Sequence, residues 1–235
     1  MTNALQTAFF VFSTGIVATV LIGLRSRNLQ AVVNGVASAV AAALPTFTEF
    51  VFALTSGADV AFGPALSAWI AVAGFLHMLG MLGWYDTVRW WDHLTHSVSA
   101  ALVAAVVYAS LRAPSALGSQ VSGPYAAIFT VLFTLGAGVF WEFMELAARD
   151  LGEYIDRPPV LEYYGLRDTV LDMTFNGVGA VVVVAFDVRV FVSDVEQVPR
   201  AAETAVVGGS VLLFVGALAL GFALERIRNG ATNSD

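Results

Sequence analysis

Apolar runs of eighteen or more residues recur along this chain, and they constrain its fold more than any other feature. "LQTAFFVFSTGIVATVLIGL" near the start and "AVVGGSVLLFVGALALGFAL" near the end are two of them. A helix of about that length covers the hydrocarbon core of a bilayer. The alternation of period two that a membrane β-barrel needs is absent. The expected fold is therefore all-α: a polytopic helical membrane protein of about seven spans in the cell membrane. The spans fall near 4–24, 30–54, 61–84, 94–111, 124–148, 169–188 and 204–224. They read as one transmembrane domain over 1–228, followed by a disordered tail over 229–235. The last pair of spans is the least secure, so a count of six stays open.

The connectors carry turn residues and charge: "RSRN", "SGAD", "RAPSALGSQVSGP" and "RDLGEYIDRPPVLEYYGLRD". The Pro158-Pro159 pair excludes a further span from the last of these. All eleven basic residues are Arg. With seven spans and the N-terminus outside, eight of them fall in inner segments and three in outer ones, which predicts an N-out, C-in topology. Without Lys the chain cannot carry retinal as a Schiff base. Without Cys it has no thiolate metal site, iron–sulfur cluster or covalently attached haem. A formal charge of -7 and no basic stripe exclude nucleic acid as a partner. Membrane lipids are the expected surroundings; nothing in the sequence indicates an oligomeric state.

Against this oily background the charges gather. "WYDTVRWWDHLTHS" opens the fourth span, with Asp92 and His96 four residues apart and so on one face. "GVFWEFMELAARD" closes the fifth and carries Glu142 and Glu145. "LRDTVLDMTFNGVGA" opens the sixth, with Asp168, Asp172 and Asn176 as an i, i+4, i+8 stripe. In the predicted topology all three stretches lie at the cytoplasmic side. An Asp at a span centre costs at least about 2.5 kcal/mol, so these side chains must face the bundle interior and find partners. Five carboxylates meet three nearby cations at most: Arg89, Arg149 and Arg167. Protons on some of the acids, or a metal ion, would supply the balance.

Carboxylate and imidazole together are a ligand set for a divalent metal such as Zn or Mn, and an all-oxygen subset suits Mg. The candidate ligands are Asp92, His96, Glu142, Asp168 and Asp172. Glu145, with the least need to be a ligand, is the candidate general base. Several plainer readings stand beside these. The acids form a structural hydrogen-bond network; His77 is a bonded packing residue; His93 points to headgroups; Trp84, Tyr85, Trp90, Trp91 and Trp141 form an interfacial belt. Glu49 snorkels or lines an outer path, and Asp187 with Arg189 makes a boundary ion pair. A b-type haem between His77 and His93 or His96 is a minor alternative.

The helical segments resemble the YjdF-like family of inner-membrane proteins of unassigned function. That family shows a Tyr-Asp-x-x-x-His segment, where Trp91 replaces the Tyr here, an aromatic-Glu-x-x-Glu segment, and a Gly-led loop into Asp-x-x-x-Asp-Met. The counterparts here are Asp92 with His96, "WEFMEL", and "YYGLRDTVLDM" with Gly165, Asp168 and Asp172. "DHLTHS" is also similar to a segment of YdjM-like predicted membrane-bound metal-dependent hydrolases. The functional expectation is a metal-dependent hydrolase acting on a lipid or lipid-linked substrate. A cation or proton transporter and a structural membrane protein remain alternatives.

Overall fold

The computed structural model describes residues 2–232. Seven long helices carry the chain: α1 (Thr2–Ser26), α2 (Leu29–Ser56), α3 (Pro64–Leu79), α4 (Trp91–Arg112), α5 (Gly123–Tyr154), α6 (Leu166–Ala185) and α7 (Pro199–Thr232). No strand occurs among the described residues. Seven segments are long and apolar enough to cross a membrane, in the order and near the positions the apolar runs predict.

Local chemistry sets the boundaries. Asn28 caps α2 by accepting the Ala31 N–H at 3.0 Å, and its amide donates to the Met81 carbonyl at 3.1 Å. Pro64 and Pro124 stand in the first turns of α3 and α5, where no amide proton is required. α3 runs on into a wide π turn, Gly80–Trp84, and a short turn Tyr85–Thr87. Gly83 sits at φ 106°, a conformation closed to most side chains. A Cβ on Gly80 would overlap the Tyr85 ring, so this glycine lets Tyr85 fold back against the helix it follows.

Three differences from the sequence reading matter. α5 continues to Tyr154 and α6 starts at Leu166, so the long connector is only 155–165. Between α6 and α7 lies a short helix, Val192–Gln197, which no apolar period announced. The last helix runs through 229–232, the first part of the expected tail. Residues 233–235, the rest of it, lie outside the described residues.

Helices α1, α2 and α3 pack on one another, as do α4, α5 and α6, while α7 lies along α5. α3 and α4 join the two groups. Within the second group the closest pairing is α4 with α6, permitted by Gly179, where any Cβ would strike the Ser97 carbonyl. The seam between the groups holds a cavity of about 410 Å3.

Candidate metal centre in the seam between the helix groups

The acidic stretches read from the sequence converge at one end of this seam. Asp92 lies in the first turn of α4, where the helix dipole favours a negative charge. One turn further on, His96 directs Nε2 to within 3.6 Å of Asp92 Oδ1. From α6, Asp172 Oδ1 stands 3.7 Å from the same nitrogen. Ligand atoms of these three residues lie within 4.8 Å of one another. They form the one such group found among the described residues.

The imidazole is held from behind. His96 Nδ1 lies 3.2 Å from Asn176 Oδ1. An amide oxygen only accepts, so Nδ1 carries a proton, and whenever the ring is neutral it turns the lone pair of Nε2 toward the two carboxylates. Three electron-rich atoms then face each other. The separations of 3.6 and 3.7 Å exceed the 2.7–2.9 Å of a charge-assisted hydrogen bond. They approach the roughly 3.4 Å that separates two ligands bound about 2.1 Å from a tetrahedral ion. Asp172 is 2% exposed, and its Oδ1 is buried with no hydrogen-bond partner. The donor types and the partnerless oxygen fit a divalent cation.

The other candidates divide. Asp168 lines the same cavity one turn from Asp172, in the predicted stripe with Asn176. Glu145 also lines it, and its Oε1 accepts the Trp141 indole N–H at 2.7 Å. Glu142 does not line the cavity. It is buried, its Oε2 accepts the Thr169 hydroxyl at 2.6 Å, and its Oε1 has no hydrogen-bond partner. It therefore stands behind α6 rather than among the three converging ligand atoms.

Other side chains support the site, His77 as the bonded packing residue expected and others in places the sequence did not indicate. His77 has a hydrogen-bonded place: Nε2 lies 3.2 Å from Asn34 Oδ1 and Nδ1 lies 2.7 Å from the Tyr85 hydroxyl. Asn34 donates its amide to the Gln30 and Val160 carbonyls, so its oxygen must accept from His77 Nε2. The Tyr85 hydroxyl lies between His77 Nδ1 and Thr95 Oγ1, the latter at 3.4 Å, and its ring belongs to the cavity wall rather than to an interfacial belt. Trp91 also leaves the belt: it is buried and donates to the Leu76 carbonyl at 3.0 Å. His93 stacks on Phe175 at 4.2 Å between ring centroids and stands apart from the three-residue cluster.

The connector 155–165 closes over the mouth. The bond from Asn34 ties it down at Val160, and Arg149 lies over the Tyr163 ring at 4.8 Å. It presents Glu162 and Tyr164 to the cavity. Tyr164 donates to Glu162 and to Asp86, and burial beside these carboxylates raises its pKa.

Away from the mouth the lining changes. Thr95, Ser99 and Asn176 offer neutral hydrogen-bonding groups partway down, and Ile70, Leu102, Val103 and Ala137 line the inner end. From Asp92 to Val103 the cavity follows α4 for about 16 Å.

The family described as Predicted membrane protein (DUF2238) matches residues 7–193 of the chain. That match spans six of the seven long helices and every residue of the cluster. No curated protein and no solved structure matches. This is a multi-pass membrane protein, and it belongs to the DUF2238 family of predicted membrane proteins.

Proposed function

We propose that this protein is a metal-dependent membrane hydrolase acting on a lipid or lipid-linked substrate. Asp92, His96 and Asp172 hold a divalent cation, and Asp168 adds an oxygen from the same face of α6. Mixed imidazole and carboxylate ligands favour zinc or manganese over magnesium. The Arg bias of the sequence assigns the cavity mouth to the cytoplasmic leaflet.

One observation carries the reading. Asn176 holds the far nitrogen of His96, so that Nε2 points at two carboxylates, one of them buried with a partnerless oxygen. A histidine whose far nitrogen is fixed by a second residue is a recurrent feature of metal ligation. A cation there supplies Lewis acidity, polarising a phosphoryl or carbonyl oxygen and acidifying water. Glu145, which accepts the Trp141 indole N–H, would be the group to receive a proton from water activated there. Asn176 keeps His96 in register, and Glu142 steadies α6 through Thr169.

The number of carboxylates in the lining also supports a second reading, a cation transporter that uses the same acids transiently. Glu49, which that reading would put on the path, is instead engaged by the Phe62 N–H at 2.7 Å.

The test is elemental analysis of gently extracted protein, paired with hydrolysis of a total lipid extract. The expected result is one zinc or manganese per chain and a released headgroup or acyl group, both lost in Asp172→Asn. A metal-free protein overturns the metal site. Stoichiometric metal with no hydrolysis, but with cation flux in proteoliposomes, replaces the hydrolase by the transporter.

A further inference from the structure

The cavity is sorted by polarity along its length, and that order suggests what it accepts. Its mouth is lined by the carboxylates of Asp92, Glu145, Glu162, Asp168 and Asp172. No Arg lines it among the described residues, and the chain has no Lys. Five carboxyl groups and no Arg make the mouth a place where a cation meets acceptors and no competing positive side chain other than imidazole. Aromatic rings stand among these acids: Trp141, Tyr85 and Tyr164. Carboxylates beside aromatic faces are the surroundings that attract an organic ammonium group, through charge and through the ring quadrupole. Asp172 Oδ1, buried and without a partner, marks the mouth as an unfinished environment rather than a closed salt-bridge network.

The inner end has the opposite character. Ile70, Leu102, Val103 and Ala137 offer no polar side-chain atom, and the hydroxyl of Thr134 beside them is spent on the Thr130 carbonyl at 2.8 Å. A lipid in the adjoining leaflet has the same order, headgroup at the interface and chain toward the midplane, so it can enter without inverting. Lipid tails are as apolar as the cavity wall, so chain entry from the bilayer gains little from the hydrophobic effect. Selectivity must come from head recognition and from how much of the chain a cavity of about 410 Å3 can take in.

We infer that the cavity binds a single-chain amphiphile with an ammonium-bearing head. The head lies among Glu162, Tyr164 and Trp141 beside the metal cluster, and the chain runs down to Leu102 and Val103. This inference rests on the proposed metal site for what happens to the head, but the binding itself does not require the metal.

The experiment uses the purified full chain and native mass spectrometry, with dodecyltrimethylammonium, hexadecyltrimethylammonium and dodecanoate as probes. One dodecyltrimethylammonium per chain is expected, bound at least about tenfold more tightly than dodecanoate or the longer ammonium. Val103→Phe and Ala137→Leu fill the inner end and should each weaken dodecyltrimethylammonium at least about tenfold. Glu162→Gln should erode the preference for ammonium over carboxylate. Zinc content and melting temperature in each variant report whether the fold is intact, and either inner-end variant suffices if the other does not fold. Equal binding of dodecanoate, or unchanged binding in a folded inner-end variant, overturns the inference. Stoichiometric zinc without ammonium binding overturns it while leaving the metal reading standing. Ammonium binding by a protein that holds no zinc does the reverse.

Discussion

The two ends of this bundle treat their acids in opposite ways. At the end where α6 closes, Asp187 pairs with Arg189 at 2.8 Å and accepts the Tyr108 hydroxyl at 2.7 Å. Asp194, further along the chain, and Glu49 of α2 each accept a backbone N–H, from Gly63 and Phe62, both at 2.7 Å. Gln197 clamps the same connector through both polar groups of Ala61. There, every one of these acids has a donor. At the other end, Asp92 and Asp172 flank one imidazole with Asp168 lining the same cavity, and Asp172 Oδ1 and Glu142 Oε1 have no donor. Acids that hold a loop are satisfied by the loop. Acids left facing one another in a cavity are satisfied by something that enters it.

That contrast can be broken in order of expected effect. Asp172→Asn should weaken zinc binding by more than the about 10–100-fold typical of an outer group, without lowering the melting temperature of the metal-free protein. A large loss of stability instead would place Asp172 with the structural acids of the opposite end. Asn176→Ala releases His96 Nδ1 and should weaken zinc binding by about 10–100-fold, with both carboxylates left in place. Unchanged affinity would mean that the imidazole needs no orienting partner.

At the opposite end, Asp194→Ala strands the Gly63 N–H and should cost about 1–3 kcal/mol of stability, with zinc binding untouched. Thermal unfolding in detergent measures it, and a matching loss of zinc would deny that the two ends are independent. The smallest effects concern pH. Burial, together with the charge of Glu49, raises the pKa of Asp194 above the usual carboxylate range, although the Gly63 N–H pulls it down. Its folded form therefore favours the proton, and stability falls as pH rises through that raised value. Asp187 is the reverse: its bonds to Arg189 and Tyr108 lower its pKa. Its contribution is present above the ordinary carboxylate pKa and is lost as pH falls through the lowered value. Melting curves of Asp194→Asn and Arg189→Gln across the acid range should each flatten one of these opposing slopes.

Much of this was legible in the letters. The seven apolar runs specify the helices, and i, i+4 spacing puts Asp92 with His96 and Asp168 with Asp172. The phase of α5 was not. Gly138, Trp141 and Glu145 face the cavity, and Glu142 lies about 100° round from Trp141, toward Thr169. Two acids three residues apart share a face only broadly, and the partner helix decides which of them looks inward. The wall formed by Tyr85 depends on a π turn and on the positive φ of Gly83, which apolar periodicity does not announce. The link from Asn34 through Val160 to the mouth joins residues far apart in the chain, beyond the reach of local spacing. Glu49 looked ambiguous because its partner is a backbone amide, which every connector offers.

The central claim is that Asp92, His96 and Asp172 share one cation. X-ray absorption at the zinc edge of the purified, zinc-loaded protein tests it most directly. The account predicts a first shell of oxygen ligands with the scattering of a single imidazole, which disappears in His96→Ala. A shell with no imidazole, or the same spectrum in that variant, would contradict it.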